Sequence, residues 1–377
     1  MPSPPSYIDP IDNRTYPIAE PRWRSDTGRP LMITELPGLK RDQIDRGQRS
    51  LWRYQAALPV RITEPVSLGE GCTPLVERTW RGARTLFKLE WFAPTGSFKD
   101  RGASVMISTL RQQGVRHLLE DSSGNGGAAI AAYAAAAGIK AKILVPASTQ
   151  PGKTVQMRAY GAEIELVPGT RQNTAEAAER QAERIFYASH NWQAFFLQGT
   201  KTLAYELWED LGFRAPDNII IPTGAGSNVL GCDIGFSELL RAGEISRLPR
   251  LFAAQPAHCA PFHAAFQSGA DSTASFEAKP TIAEGTAIAV PVRARAVLAA
   301  LRRSRGATVA VSEDEIIAAT LELPTSTGLY AEPTCAMAAA AVSKLRTAGT
   351  IRDGEVTVVL LTGTGLKATQ RVSELLA

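Results

Sequence analysis

The chain has 377 residues, of which 44% are hydrophobic and 21% are charged, and this composition excludes a disordered chain and a coiled coil. The formal net charge is only +4, and no block of Lys and Arg interleaved with aromatic residues occurs, so nucleic acid is not expected as a partner. The most apolar run, 128–139, is mostly alanine and too short to span a bilayer, so no membrane partner is expected.

The four cysteines, Cys72, Cys232, Cys259 and Cys335, lie far apart in the sequence and form no C-x-x-C pair. This spacing predicts neither a zinc site nor a disulfide framework, and it favours reduced thiols in a cytoplasmic protein. Residues 1–7 contain three prolines and no apolar core, so they do not have the pattern of a signal peptide.

The first 50 residues are rich in Pro, Arg and Asp and are predicted to form an extended arm that packs on the rest of the protein. From Leu68 onwards, apolar runs typical of strands alternate with helical stretches. This alternation predicts an α/β fold with largely parallel sheets, in which functional loops leave the carboxyl ends of the strands. Strands are predicted at 84–89, 117–120, 142–145, 163–167, 218–221, 250–254 and 356–361, and helices at 104–113, 126–137, 149–160, 174–185, 203–211, 229–242, 312–323 and 335–348.

The loop 94–102, with the sequence PTGSFKDRG, carries Lys99, one of only ten lysines in the chain, at the predicted start of a helix. The helix N-terminus and the neighbouring Phe98 both disfavour the ammonium form, so we expect a lowered pKa for Lys99. A neutral lysine amine attacks an aldehyde and forms a Schiff base. The alternative is a surface lysine that pairs with Asp100.

Two further loops follow predicted strands and open helices. The loop 122–127, SSGNGG, presents backbone N–H groups that can bind a carboxylate, and Asn125 adds an amide donor; the alternative is a helix cap with a glycine turn. The loop 222–228, PTGAGSN, has two glycines that let the backbone approach a phosphate. A dinucleotide-binding loop is disfavoured because the next glycine, Gly231, falls two positions late for G-x-G-x-x-G.

An amine, a phosphate cradle and a carboxylate cradle together indicate pyridoxal phosphate as the cofactor. The last predicted strand is followed by a turn, 361–367, with two threonines, Thr362 and Thr364, either of which offers a hydroxyl to the pyridine nitrogen. A hydroxyl leaves that nitrogen largely unprotonated, which suits elimination and replacement reactions better than transamination.

The ordered set of motifs between residues 68 and 367 resembles the threonine synthase branch of the tryptophan-synthase-β-like, fold type II pyridoxal phosphate enzymes. The motifs that carry the resemblance are GEGCTPL at 69–75, the lysine loop with Lys88 and Glu90 before it, 122–125, 161–163, 199–202 with Glu206, 224–228, 332–334 and 362–367. The resemblance implies two domains, each an open and mostly parallel sheet flanked by helices. A large cofactor-binding domain would comprise 51–102 and 201–377, and a smaller mobile domain would comprise 103–200.

The resemblance also implies roles for individual residues. Lys99 would form the Schiff base and move protons, Asn125 would contact O3′ of the cofactor, and Thr362 would face the ring nitrogen. The implied cofactor-binding residues are Phe98, Lys99, Asn125, Gly224, Ala225, Gly226, Ser227, Asn228 and Thr362, and the implied substrate-binding residues are Ser122, Ser123, Gly124 and Gly126. The implied reaction converts O-phospho-L-homoserine and water to L-threonine and phosphate, and the implied assembly is a homodimer in the cytoplasm.

Three positions depart from the family pattern. Gly126 and Gly127 stand where threonine synthases usually have Thr and Ser, and Thr364 replaces a histidine of the closing turn. These changes leave open a β-replacement or β-elimination enzyme, similar to cysteine or cysteate synthase or to serine/threonine dehydratase. A nicotinamide-dependent oxidoreductase is disfavoured by the late Gly231, and a non-catalytic relative is disfavoured by the intact Lys99.

The N-terminal arm, 1–50, resembles the zinc-ribbon arm of many threonine synthases. Four residues stand where that arm carries cysteines, namely Asp9, Asp12, Ser25 and Thr27, so we predict no metal and expect packing of Tyr16 and Trp23 to hold the arm.

Other polar residues have less specific patterns. His190 is predicted to be a packed or capping residue rather than an acid or base. Lys153, Lys201 and the arginine-rich segment 293–305 are predicted to lie on solvated helix faces, although the two lysines could instead bind a substrate phosphate.

Overall fold

This computed structural model describes residues 4–149 and 151–377. Elements are numbered in chain order, and the described residues divide into two compact units. The first unit lies within Met1–Pro37, Gln43–Glu70 and Lys99–Thr200, and the second within Gly38–Asp42, Gly71–Phe98 and Lys201–Ala377. The first unit combines 43–70 with 99–200, whereas the sequence analysis assigned 51–102 to the large domain. Which segments move together as a domain stays a prediction.

The first unit contains a parallel sheet flanked by helices. Its elements are β1 (Ser6–Ile8), β2 (Thr15–Pro17), β3 (Met32–Ile33), α1 (Lys99–Gln112), β6 (His117–Glu120), α2 (Asn125–Ala136), β7 (Lys140–Pro146), α3 (Pro151–Ala159), β8 (Glu163–Val167), α4 (Arg171–Gln181), β9 (Phe186–Tyr187) and α5 (Ala194–Thr200). The parallel sheet has the strand order β8-β7-β6-β9. The alanine-rich helix α2 is buried over residues 126–134 and packs against β7, as its small side chains predict.

The N-terminal arm folds into an antiparallel sheet of order β2-β1-β3, in which Tyr7 pairs with Tyr16 and with Ile33. The Tyr7 ring packs edge-on to Phe195 at 5.8 Å between centroids. Trp23 packs on two rings, Tyr187 at 5.0 Å and Trp192 at 5.2 Å. Tyr16 is buried, so the expectation that Tyr16 and Trp23 hold the arm is confirmed, whereas its extended conformation is replaced by short paired strands.

The second unit is built on a larger sheet with the strand order β12-β11-β10-β13-β5-β4, in which only β4 is antiparallel to its neighbour. Its central strands β10 and β13 are buried along their whole length, as expected for parallel strands covered on both faces. Its elements are β4 (Leu75–Trp80), β5 (Ala83–Leu89), α6 (Thr202–Asp210), β10 (Asn218–Pro222), α7 (Ser227–Arg241), β11 (Arg250–Pro256), α8 (Pro261–Gln267), α9 (Ala294–Arg303), β12 (Ala307–Val311), α10 (Glu313–Thr327), α11 (Pro333–Thr347), β13 (Thr357–Leu361) and α12 (Thr369–Leu376).

The predicted α/β fold with largely parallel sheets is confirmed, and every predicted strand and helix is present within a few residues of its predicted bounds. The sequence patterns did not predict β4, β9, β12 and the helices α5, α8 and α12. Helix α5, AFFLQGT, is buried at every position and therefore has no apolar–polar periodicity to reveal it. Among the described residues, no helix combines the length and apolarity needed to cross a membrane.

Candidate active site

The glycine-rich loop of the second unit follows β10 and opens α7. Gly226 has φ +92°, and a Cβ placed on it would lie 2.4 Å from Cγ2 of Val297. A Cβ on Gly224 would lie 3.0 Å from Cα of Thr286. Glycine is therefore required at 226 both for backbone conformation and for space, and the backbone N–H groups at the start of α7 stay uncovered by side chains.

Asn228 is the strongest sign that this loop binds a ligand. Its side chain is buried, with 3% exposure, yet neither Oδ1 nor Nδ2 has a hydrogen-bond partner within the described residues. An amide buried in this way costs about 1–3 kcal/mol unless something binds to it. A phosphate group at the N-terminus of α7 would supply that partner, so the residues present fit the phosphate of pyridoxal phosphate.

The segment just before Lys99 is fixed by the closing turn after β13. Phe98 N donates to Thr362 O at 3.0 Å, and Lys367 Nζ donates to Thr95 O at 2.7 Å. The Thr362 side chain is buried. Thr364, which stands at the family's histidine position, accepts from the backbone N of Leu366 with its hydroxyl and so caps the turn.

The N-terminus of α11 joins this turn to the surroundings of the phosphate loop. Glu332 N donates to Gly363 O at 3.1 Å, and a Cβ on Gly363 would lie 2.2 Å from Oε1 of Glu332. Thr334 Oγ1 accepts from Gly285 N at 3.1 Å, and Gly285 O lies 3.1 Å from the Cβ position of Gly224. The second unit thus brings the phosphate loop, the closing turn and the peptide before Lys99 into one connected arrangement.

In the first unit, Lys99 begins α1, which packs tightly on α5. A Cβ on Gly102 would lie 2.5 Å from the ring of Phe196, and a Cβ on Gly199 would lie 2.0 Å from Arg101 O. The two glycines of the motifs 94–102 and 199–202 therefore allow the helices to approach. This contact fixes α1 against α5 within the first unit.

The loop 122–127 lies at the carboxyl end of β6 and opens α2. Ser122, Ser123 and Asn125 are half-buried, Gly124 is exposed and Gly126 is buried. The N-cap residue of α2 is Gly124, which has no side chain to cap the helix, so the N-terminus of α2 presents backbone N–H groups that can bind an anion. His190 is 8% exposed and packs against Gly126, which confirms that it is a packed residue.

A buried network in the second unit joins Thr73 of the motif 69–75 to Lys88, Glu90 and Glu206. Lys88 Nζ donates to Thr73 O and to Glu206 Oε1, both at 2.6 Å. Glu206 also accepts from the backbone N of Thr73 at 2.7 Å, and the Thr73 hydroxyl donates to Glu90 at 2.6 Å. These motif residues stabilise the loop before β4. The sequence alone did not predict this structural role.

Two predicted solvated cations are buried. Lys201 Nζ donates to Glu238 Oε1 at 2.9 Å, Tyr205 donates to the same carboxylate, and burial lowers the pKa of Lys201. Arg293 is 6% exposed, and burial lowers its pKa to about 9. The solvated assignment is therefore wrong for Lys201 and Arg293, whereas Lys153 is exposed as predicted.

The four arm residues at the family's cysteine positions contact one another or share a cation. Thr27 Oγ1 lies 2.9 Å from Ser25 Oγ and donates to Asp9 Oδ2 at 3.3 Å. Arg29 bridges Asp9 and Asp12, with its Nε 2.8 Å from Asp9 Oδ2. The guanidinium of Arg29 thus joins two of these positions by ion pairs.

Comparison with known proteins places this arrangement in a family. The family profile described as "Pyridoxal-phosphate dependent enzyme" matches residues 66–363. Threonine synthase from Methanocaldococcus jannaschii is 34% identical over 86% of this chain and 82% of its own length. Threonine synthase from Synechocystis is 33% identical over 83% of this chain and 82% of its own length. A crystal structure of a threonine deaminase, from the organism abbreviated T.th., has a TM-score of 0.66 at 27% identity, and the match covers 78% of this chain and 92% of that one.

The chain therefore belongs to the pyridoxal-phosphate-dependent enzymes and has the fold type II architecture. Within that family it belongs to the threonine synthase branch, and its cofactor is pyridoxal 5′-phosphate, as the sequence motifs predicted. The roles of the individual site residues stay predictions.

Proposed function

We propose that this enzyme is a lyase of the threonine synthase type, which converts O-phospho-L-homoserine and water to L-threonine and phosphate. The proposal depends most on one observation: relatives named threonine synthase match over 86% of the chain at 34% identity. The geometry of the phosphate loop and of the closing turn supports the cofactor that this chemistry needs.

Each group of site residues has one task in this proposal. The backbone of 224–228 and the amide of Asn228 would bind the cofactor phosphate, and the Thr362 hydroxyl would serve the ring nitrogen. Bound pyridoxal phosphate supplies an electron sink for the bonding pair released at the substrate α carbon. The Lys99 amine would hold the cofactor and would take the proton from the substrate α carbon.

The first unit contributes the substrate side. The backbone N–H groups of 122–126 receive the substrate carboxylate at the N-terminus of α2, where partial positive charge favours an anion. Asn125 would donate to the cofactor's O3′. We also propose that the enzyme is a homodimer, which a measurement of its size in solution tests. We further propose that it is located in the cytoplasm, which cell fractionation tests.

A β-elimination enzyme of the dehydratase type is the second candidate. It is favoured by Gly126, which provides no hydroxyl beside the loop asparagine to direct water to the β carbon. The likeness to a threonine deaminase structure at 27% identity also fits this reaction.

A substrate panel separates the two candidates. The enzyme, loaded with pyridoxal phosphate, is assayed with O-phospho-L-homoserine, O-phospho-L-serine, L-serine and L-threonine, and threonine, phosphate, ammonia and 2-keto acid are measured. The proposal predicts equimolar threonine and phosphate, and a kcat/KM for O-phospho-L-homoserine at least about 100-fold above the others, or roughly 2.7 kcal/mol of discrimination. Ammonia and 2-keto acid from serine or threonine as the main products would establish the dehydratase instead.

A further inference from the structure

The space for a side chain at residue 126 is occupied by another part of the first unit. A Cβ on Gly126 would lie 2.6 Å from Cε1 and 2.7 Å from Nδ1 of His190, and 2.9 Å from Oγ of Ser122. Real Cβ atoms do not approach other atoms this closely, so no residue larger than glycine fits unless the imidazole moves and the Ser122 hydroxyl rotates away. The imidazole thus lies where a side chain of residue 126 would begin.

A buried carboxylate holds this imidazole in place. Glu120, the last residue of β6, is fully buried, and its two oxygens lie 3.1 and 3.2 Å from His190 Nδ1. Glu120 Oε2 also accepts from the backbone N of His190 at 3.1 Å. These contacts orient the imidazole with Nδ1 toward the carboxylate of Glu120. The ring of Phe196 packs against the imidazole at 5.6 Å between centroids.

The same carboxylate also holds the chain that enters the loop. Glu120 Oε1 accepts from the backbone N of Asp121 at 2.9 Å. Asp121 Oδ1 accepts from Ser189 Oγ at 3.1 Å, and Asp121 Oδ2 lies 2.6 Å from Arg171. Residues 120–121 and 189–190 are therefore cross-linked by side chains on both sides of the loop that begins at Ser122.

We propose that His190, held by Glu120, is the positioning residue of the loop 122–126, and that its imidazole replaces the side chain that residue 126 lacks. The inference rests on the proposed function only in that this loop receives the substrate carboxylate. His190 acts through the loop backbone: it packs on Gly126 and keeps the N–H groups of the α2 N-terminus aligned for the anion. The sequence did not reveal this role because the two residues are 64 positions apart.

The geometry makes residues 126 and 190 mutually dependent. Gly126→Ser alone places a side chain into the imidazole, and His190→Ala alone leaves the loop without its support. In the double variant the serine side chain enters the space left by the imidazole. Residues in direct contact show this non-additivity, whereas distant pairs do not.

The test uses the full-length holoenzyme and two measurements that do not depend on turnover. The first is hydrogen exchange of the peptide spanning 122–128. The second is the dissociation constant of O-phospho-L-homoserine, measured from the change that this substrate causes in the cofactor absorption band. His190→Asn is included because its amide still donates to Glu120, and it keeps the test valid if His190→Ala does not fold. The matched control is His258→Ala, which removes a partly exposed histidine of the second unit.

We expect His190→Ala to raise loop exchange and to raise the dissociation constant and KM about tenfold, with kcat changed less than about threefold. His190→Asn should recover most of the lost substrate affinity, and His258→Ala should have the affinity of the wild type. The double variant Gly126→Ser/His190→Ala should bind the substrate with a dissociation constant within about threefold of the wild-type value. Unchanged loop exchange together with unchanged substrate binding in His190→Ala would overturn the inference, as would strictly additive effects in the double variant. If the wild type makes no threonine but loop exchange shows the coupling, the proposed function fails and the positioning role stands.

Discussion

The phosphate loop at 222–228 and the substrate loop at 122–127 have the same construction and different support. Each follows a parallel strand and opens a helix through glycines. In the phosphate loop, the glycine contacts are with Val297 and with backbone atoms of 285–286. In the substrate loop, Gly126 contacts an imidazole held by a carboxylate. The phosphate loop is therefore held at its glycines by Val297 and by backbone atoms, whereas the substrate loop is held at Gly126 by an imidazole and at Gly127 by Ser122 O and Met157.

This difference agrees with where the chain departs from the family pattern. The phosphate loop keeps the family motif, and Gly126 and Gly127 in the substrate loop do not. The packed contact of Gly226 with Val297 tolerates few substitutions. In the substrate loop, by contrast, the side chain that fills the space can come either from residue 126 or from residue 190.

The largest effect is expected from Lys99→Ala, which removes the amine proposed to react and changes neither of the two loops. We expect turnover to fall by roughly 10³-fold or more, because the groups that bind substrate and cofactor remain but the nucleophile and base is lost. The visible absorption band of the bound cofactor should shift or disappear. Turnover at the wild-type rate would remove Lys99 from the chemistry.

Gly226→Ala tests the packing of the phosphate loop. A Cβ at φ +92° and 2.4 Å from Val297 combines backbone strain with overpacking, and we expect the free energy of unfolding to fall by about 2–4 kcal/mol, with weakened cofactor binding. The control is Gly243→Ala, just beyond the other end of α7, where φ is +75° and nothing lies within 4 Å. That variant has the strain without the contact and should lose about 1–2 kcal/mol. Equal losses in chemical unfolding would exclude a role for the Val297 contact.

Asn228→Ala separates ligand binding from stability in the same loop. Because its amide has no partner in the described residues, we expect the apo protein to lose less than about 1 kcal/mol while the cofactor dissociation constant rises about tenfold. Asn218→Ala is the matched control, since that buried amide donates to Thr357 at 3.0 Å and accepts from Arg250 at 2.9 Å. It should destabilise the fold by about 1–3 kcal/mol and leave cofactor affinity unchanged. The opposite pattern would contradict the assignment of Asn228.

The smallest effect is a pH dependence confined to the substrate loop. Burial opposes ionisation of Asp121, but Arg171 and His190 lower its pKa below the ordinary value of 3.8 overall. A lowered pKa in the folded state means that the stabilisation is present above 3.8 and is lost as the pH falls through the lowered value. Hydrogen exchange, corrected for its intrinsic rate, should therefore rise for 122–128 in acid before it rises for 222–228. A simultaneous rise in both peptides would mean that the two loops do not differ in this respect.

The parallel strands were predictable because they are continuous apolar runs, as in NIII at 218–221 and VVLL at 358–361. The loops that carry the chemistry were predictable for the same reason, since they follow those strands. Contacts between residues distant in sequence were not: nothing local to Lys201 indicates Glu238, and nothing local to Gly126 indicates His190. For the contact between Gly126 and His190, the one signal in the sequence was a glycine at a position where the family has a side chain.

The central claim is tested most directly by a single titration of the purified protein loaded with pyridoxal phosphate. O-phospho-L-homoserine is added while the visible spectrum, phosphate and threonine are followed together. The account predicts a visible cofactor band that the substrate perturbs, and threonine and phosphate formed in equal amounts. The absence of a cofactor band even with excess pyridoxal phosphate, or phosphate release without threonine, would contradict it.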